Sequence, residues 1–192
     1  MCGRYTLKTP VERLAEKFSL ADLPPMTLKP RYNIAPSQPV AVIRLLPDDS
    51  DLKLAMLQWG LIPAWVKDPA KALKPINAKA ETVAEKPTFR DAFRHRRCLI
   101  PADGFYEWKQ EGSRKWPVYI RMKDQEPFAF AGLWECWEGQ EGKAKAIESC
   151  TILTTEPNDL LAPIHNRMPV ILYPKDYENR IQCLKPYFFD EV

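Results

Sequence analysis

The chain has little of what metal sites and disulfide frameworks require. Of its 192 residues two are histidines, His95 and His165, and neither stands near a second histidine or a cysteine at zinc-ligand spacing. Its five cysteines are odd in number, dispersed and without a CxxC pair, which favours a reducing compartment. We therefore expect no metal, no cofactor and a cytoplasmic location.

Long apolar runs are also missing. The chain contains no stretch of about 18 apolar residues, and its N-terminus lacks a basic segment followed by an apolar one. The 28 basic and 25 acidic residues leave a formal charge of +3, too small to indicate a nucleic-acid partner unless the cations cluster. These absences predict a soluble protein with a single domain, residues 1–192. We expect no membrane partner and, most simply, a monomer.

Proline, by contrast, is abundant. The 19 prolines are about twice the usual share and punctuate the whole chain, which disfavours a helical bundle. Strand-like runs occupy residues 39–46, 52–60, 116–122, 127–134, 150–155 and 168–173. We predict an α+β fold with a mostly antiparallel, barrel-like β core and flanking short helices.

One helix is clearly marked in TPVERLAEKF, residues 9–18. Thr9 is predicted to cap it, Pro10 to take the first helical position and Glu12 to complete a capping box. Shorter helical patterns are found in residues 78–97 and 174–185.

The opening MCGRYT places a cysteine directly behind the initiator methionine. If Met1 is removed, Cys2 carries a free α-amine beside its thiol, and such a 1,2-aminothiol can capture an aldehyde twice and close a thiazolidine ring. The amine has an ordinary pKa of about 7.7 to 8.0, so part of it is nucleophilic near neutral pH. The alternative is that Cys2 is a small buried hydrophobic residue.

Two further residues could move protons. In DGFYEWK, strand alternation puts Phe105 and Glu107 on one face; Glu107 is either an ordinary exposed glutamate or a carboxyl against aromatic surface, where its pKa would rise. His165 lies in a loop before a strand, where functional side chains are frequent. His95, in the basic run FRHRR, is explained by a solvated helix face.

Other residues could orient or bind. Asn77 in PINAKAET could hold a nucleophile by hydrogen bonding, or could simply serve a turn or helix cap. The segment WGLIPAW offers flat surface for stacking bases, with core packing as the alternative for at least one tryptophan; its members are Trp59, Pro63 and Trp65. Cations close in sequence to these candidates could hold phosphates: Arg4, Arg31, Lys79 and Arg167.

Taken in order, seven short motifs resemble the SOS-response-associated peptidase (SRAP) family: MCGRYT, RYNIAPSQ, WGLIPAW, INAKAET, PADGFYEWK, AGLWE and IHNRMPVIL. They extend from Met1 to about Leu172 and are specific as a series, although each is short. Two departures stand out. Lys79 replaces the arginine usual in the family motif, and the chain ends at Val192 without a valine- and asparagine-containing segment common in the family.

The resemblance implies a protein that recognises abasic sites in single-stranded DNA and captures their ring-opened aldehyde through its N-terminal cysteine. By position in the motifs, Cys2 resembles the nucleophile, Asn77 and Glu107 its partners, and His165 the acid–base group acting on the deoxyribose. The positions that resemble phosphate contacts are Arg4, Lys79 and Arg167.

Two competing functions remain at this stage. A cysteine peptidase, including one that only releases Met1, would use Cys2 as nucleophile with His165 or Glu107 as base. A non-covalent reader of single-stranded or modified DNA would need the cations and tryptophans but not Cys2.

Overall fold

The computed structural model describes residues 2–23, 25–46, 49–139 and 145–177. Twelve strands are present in this part of the chain: β1 (Arg4–Leu7), β2 (Arg31–Ile34), β3 (Pro39–Arg44), β4 (Lys53–Trp59), β5 (Asn77–Lys79), β6 (Arg97–Ala102), β7 (Gly104–Glu111), β8 (Arg114–Ile120), β9 (Phe128–Trp137), β10 (Ile147–Thr155), β11 (Met168–Pro169) and β12 (Ile171–Leu172). Two α-helices and two 3₁₀ helices accompany them: α1 (Val11–Lys17), α2 (Arg90–His95), Ala80–Thr82 and Pro174–Asp176.

Five strands close into a barrel in the order β10, β4, β3, β6 and β9, with β9 pairing back onto β10. Strand β5 pairs with β10 outside this ring, and β11 and β12 add to β10 and β9. Among the described strands the parallel pairs are those of β10 with β4 and with β5, and the others are antiparallel. The predicted α+β class with a mostly antiparallel, barrel-like core is therefore confirmed.

A second, four-stranded sheet in the order β2, β1, β7 and β8 covers the barrel. Aromatic rings join the two sheets: Tyr5 of β1 packs edge-on against Trp59 of β4 and Phe130 of β9, with ring centroids 5.4 and 5.8 Å apart. Phe105 of β7 meets Phe130 in the same T-shaped geometry. Such contacts add to the stability that apolar burial provides, and they fix β1 and β7 against the barrel.

Helix α1 forms where its sequence pattern predicts, but the predicted cap is wrong. The helix begins at Val11 with Pro10 at the N-cap and no side-chain cap. The Thr9 hydroxyl donates instead to the Asp103 carboxylate, which also accepts the backbone N–H groups of Lys8 and Thr9. Because this buried carboxylate in the β6–β7 connection needs donors, it takes the hydroxyl that local pattern reserves for the helix.

The other helical patterns are only partly realised. Within residues 78–97 the structure has strand β5, a single 3₁₀ turn and the six-residue helix α2. Of the pattern at 174–185, only the 3₁₀ helix Pro174–Asp176 lies within the described residues, which reach Tyr177.

The predicted strand at 168–173 is divided into β11 and β12 by Val170. Its N–H donates to Leu153 of β10 and its carbonyl accepts from Ala131 of β9, so the segment passes from one neighbouring strand to the other at this residue. Within the described ranges, no helix has the length and apolar character needed to cross a membrane.

Candidate functional site

Cys2 lies directly before β1, and the antiparallel pairing of Arg4 with Tyr106 brings the start of the chain beside Glu107 of β7. Both side chains are buried, with relative exposures of 0% for Cys2 and 1% for Glu107. Phe105 and Glu107 share one face of β7, as predicted, and this face is buried, so Glu107 is not the exposed glutamate of the alternative interpretation. Burial raises the pKa of the Cys2 thiol far above its ordinary value, and the nearby Glu107 carboxylate raises it further. At neutral pH this thiol therefore keeps its proton.

Asn77 begins β5 and reaches the start of the chain. Its side-chain amide donates to the backbone carbonyl of Cys2 at 3.0 Å. Its other polar atom, Oδ1, is buried and has no hydrogen-bond partner among the described residues. Because β5 pairs with β10 through Ile152, Asn77 fastens Cys2 to the barrel.

His165 and Arg167 lie in the loop before β11. The backbone N–H of Arg167 donates to Nδ1 of His165 at 3.0 Å, so the neutral imidazole carries its proton on Nε2. The Arg167 guanidinium binds both carboxylate oxygens of Glu81, at 2.8 Å each, and the carbonyl of Thr154 at 2.6 Å. This loop is thereby fixed to the end of β10 and to the 3₁₀ turn after β5.

Strand β5 links these two groups of residues. Asn77 and Lys79 stand on one of its faces, separated by about 6.6 Å along the strand, while Ala78 between them is buried. Lys79 pairs in register with Thr154, whose carbonyl holds Arg167. One end of this short strand thus contacts Cys2 through Asn77, and the other end pairs with Thr154, the residue that holds Arg167.

The remaining cations differ in position. Arg4 follows Cys2 closely, and its guanidinium donates to the Gly3 carbonyl at 3.0 Å. Arg31 of β2 pairs with Leu7, farther along β1, and its guanidinium binds the Pro39 carbonyl at 2.5 Å. The structure therefore leaves Arg31 away from the residues around β5, and its predicted role in binding nucleic acid stays a prediction.

A groove of about 650 Å³ extends from Asn77 to Trp65. Trp65 is 65% exposed and shares the groove walls with Lys74, Lys86 and the exposed Leu73. Trp59, in contrast, is fully buried and its indole N–H donates to the Ile76 carbonyl at 2.9 Å, so it belongs to the core. One tryptophan of WGLIPAW is structural and the other faces solvent.

Sequence reasoning missed three residues here. Glu81 binds Arg167, and Lys74 and Lys86 supply the positive charge of the groove. Glu81 stands two residues after Lys79 in the quoted motif INAKAET. The sequence alone gives no reason to select an acidic residue among proposed DNA contacts, because its ion pair with Arg167 is visible only in the structure. Across the described residues, no three His, Cys, Asp or Glu side chains gather as a metal ion would require.

Comparison with known proteins identifies the family of this chain. The model of the family described as SOS response associated peptidase (SRAP) matches residues 1–186. The chain belongs to this family. The resemblance seen in the seven motifs is therefore confirmed, and the matched residues include every candidate site residue named above.

Named relatives carry one description. The chain is 46% identical over 188 residues to the abasic site processing protein YoqW of Bacillus subtilis (strain 168), covering 97% of this chain and 81% of that protein. It is 33% identical to the abasic site processing protein HMCES of Xenopus tropicalis, over 75% of this chain and 51% of that protein. A crystal structure of a Bacteroides thetaiotaomicron protein superposes with a TM-score of 0.84 at 27% identity, covering 96% of this chain and 83% of that one.

Proposed function

We propose that this SRAP protein processes abasic sites in single-stranded DNA by capturing their aldehyde covalently through Cys2 once Met1 has been removed. The observation that carries the proposal is the position of Cys2, whose carbonyl is held by Asn77, a residue that lines the groove, and whose thiol lies close enough to the Glu107 carboxylate to feel its charge. The names of the curated relatives supply the lesion. An N-terminal aminothiol at this position carries both nucleophiles that are needed to capture an aldehyde as a ring.

The reaction closes a five-membered ring. The α-amine of Cys2 attacks the aldehyde carbon, and loss of one water gives an iminium. The sulfur then adds to the same carbon, and the thiol proton is released as the C–S bond forms. The product is a thiazolidine, which lacks the iminium needed for strand-breaking β-elimination, so the lesion is shielded.

Glu107 is suited to take the thiol proton. The folded state holds the Cys2 thiol protonated, because burial and the neighbouring carboxylate both raise its pKa. A base must therefore accept the proton as sulfur adds, and Glu107 is the carboxylate whose charge acts on this thiol. The same carboxyl can return a proton when the ring opens again.

His165 is assigned to the sugar. With Nδ1 accepting the Arg167 N–H, Nε2–H can donate a hydrogen bond to the ring oxygen of the closed deoxyribose and stabilise the charge that develops there. As the aldehyde forms, the ring oxygen takes a proton from water and the C1 hydroxyl returns one to water. The groove between Asn77 and Trp65 would hold the flanking nucleotides, with Lys74, Lys79 and Lys86 near phosphates and Trp65 against a base.

The decisive experiment is denaturing electrophoresis after incubation with single-stranded DNA that contains an abasic site. Processed protein should form an adduct that survives denaturation, and Cys2→Ala should abolish it. Cys136→Ala removes a partly exposed internal thiol and serves as the matched control, which should react as the wild type does.

A protein with an N-terminal extension keeps the Cys2 thiol but lacks the free amine. It should form no adduct, and an undiminished adduct in that protein would contradict the thiazolidine mechanism. Two other outcomes would favour the alternative functions. Peptide cleavage without any adduct would indicate a cysteine peptidase, as the family name suggests. DNA binding of equal strength in the wild type and in Cys2→Ala, without any adduct in either, would indicate a non-covalent reader.

A further inference from the structure

The ion pair between Glu81 and Arg167 has no place in the proposed reaction, yet it is the most completely formed one near the site. Both guanidinium nitrogens of the terminal fork engage both carboxylate oxygens at 2.8 Å, the bidentate geometry that gives such pairs their strength. The Arg167 side chain is only 13% exposed. Hydrogen bonding to Arg167 lowers the pKa of Glu81, so the pair stays ionised at neutral pH.

Arg167 also touches His165 through its backbone. Its N–H points at Nδ1 of the imidazole at 3.0 Å, a contact that favours the tautomer with the proton on Nε2. The Arg167 guanidinium is held at once by Glu81 and by the Thr154 carbonyl. The residue whose N–H contacts the His165 ring is thus anchored by a carboxylate that lies on another element.

We propose that Glu81 is a positioning residue for His165: by holding Arg167, it keeps the imidazole in the orientation and in the Nε2–H tautomer that present this N–H group to the sugar. The inference rests on the proposed function, since the orientation and tautomer of His165 matter for the reaction only if this residue acts on the deoxyribose. The role of Glu81 is indirect, because it acts through Arg167 and His165 in the loop before β11.

Glu81→Gln tests this directly, because the glutamine keeps the shape but loses the charge of the pair. Adduct formation at saturating DNA should slow by about tenfold, the scale seen when a group that orients a functional histidine is removed. Glu81→Asp, which retains the charge, should recover part of the rate. Glu85→Gln makes the same charge change at an exposed side chain on the same segment and should react as the wild type does.

A double-mutant cycle separates positioning from general weakening. If Glu81 acts through His165, the double variant Glu81→Gln/His165→Ala should react no more slowly than His165→Ala alone. Effects that multiply would overturn the proposal. So would a Glu81→Gln variant that binds DNA more tightly and reacts at the wild-type rate, since Glu81 would then merely compete with phosphate for Arg167.

The tautomer can be measured without any reaction. The chain has two histidines, so ¹⁵N spectra of the imidazoles are assigned with one His95→Gln variant. Wild-type His165 should show the Nε2–H tautomer, and Glu81→Gln should lose that preference; an unchanged tautomer would overturn the proposal. If the wild-type protein forms no adduct, the proposed function fails, while the spectra still decide whether Glu81 orients His165.

Discussion

In the folded chain that still carries Met1, the Cys2 thiol is less acidic than an ordinary cysteine. Burial raises the pKa of this thiol, as it does for the internal cysteines Cys98 and Cys150. What distinguishes Cys2 is its place at the start of the chain, its neighbour Glu107 and its tether to Asn77. The sequence could not predict the raised pKa of the Cys2 thiol, because reference pKa values describe solvated groups. The reaction is thus expected to rely on proton transfer within the site.

At the residue scale, Glu107→Gln and His165→Ala should each slow adduct formation or its reversal by about 10²-fold or more, the usual effect of losing a general base or a hydrogen-bond donor to a developing charge. Glutamine at 107 can still accept a hydrogen bond but cannot take the thiol proton. Rates are measured by quenched electrophoresis from pH 6 to 8, with DNA affinity followed separately.

The matched control for this experiment lies on the same strand. Glu111→Gln removes an exposed carboxylate of β7 and should leave the rate unchanged. If the Glu107 and His165 variants both react at the wild-type rate across this range, neither residue acts in the reaction and both are structural.

Site residues could be recognised from the sequence more readily than their contacts. Alternation along DGFYEWK correctly placed Glu107 on the same face as Phe105, since that pattern depends only on strand periodicity, but the burial of this face became known only from the structure. The bond from Asn77 to the Cys2 carbonyl spans 75 positions of chain, and the pair of Glu81 with Arg167 spans 86. Local pattern carries no information on such separations, so these contacts required the fold.

At the element scale, apolar pattern predicted most of the barrel strands but not all of them. The predicted runs became β3, β4, β8, β9 and β10, and the run at 168–173 became the two short strands β11 and β12. Strand β6, as long as β3, was not among the predicted runs. Strand β5 has three residues, too few for any period, and exists because β10 offers it a parallel partner. The element that carries Asn77 and Lys79 is therefore one that sequence periodicity cannot show.

The barrel closes tightly around Gly132, which pairs with Cys98 between β9 and β6. A Cβ at position 132 would lie 2.8 Å from Cδ1 of Ile100 and 2.9 Å from Sγ of Cys98. Gly132→Ala should therefore lower the free energy of unfolding by about 1–3 kcal/mol, the usual cost of overpacking a core. Urea unfolding gives this difference from the shift of the midpoint.

The partner side chain supplies the control. Cys98→Ala removes the sulfur that the new methyl group meets, so the double variant Gly132→Ala/Cys98→Ala should be more stable than the sum of the two single effects predicts. Strict additivity would mean that the methyl group is accommodated elsewhere and that the close approach of β6 and β9 is not limiting.

At the scale of the whole molecule, net charge hides the distribution that matters. The formal charge is only +3, yet Lys74 and Lys86 line the groove that starts at Asn77, and Lys79 lies two residues along β5. Composition could predict only that any affinity for DNA must come from local clustering. Which cations cluster depends on how β5, the Trp65 loop and the start of α2 meet, and this is a property of the tertiary structure.

Salt dependence measures that clustering. Each phosphate contact on a single strand contributes about −0.7 to the slope of log affinity against log salt, because neutralised phosphates release counterions. Replacing Lys79 or Arg4 by alanine should therefore flatten the slope by about 0.7, in a Cys2→Ala background that prevents cross-linking. Arg167→Ala should flatten it less, since its guanidinium is already engaged by Glu81.

Lys79→Arg should strengthen binding, because a guanidinium can bind a phosphate with two donors. Lys115→Ala, at the exposed β7–β8 hairpin, removes the same charge and should leave the slope unchanged. Equal slopes for all of these variants would place the DNA path on another surface of the molecule.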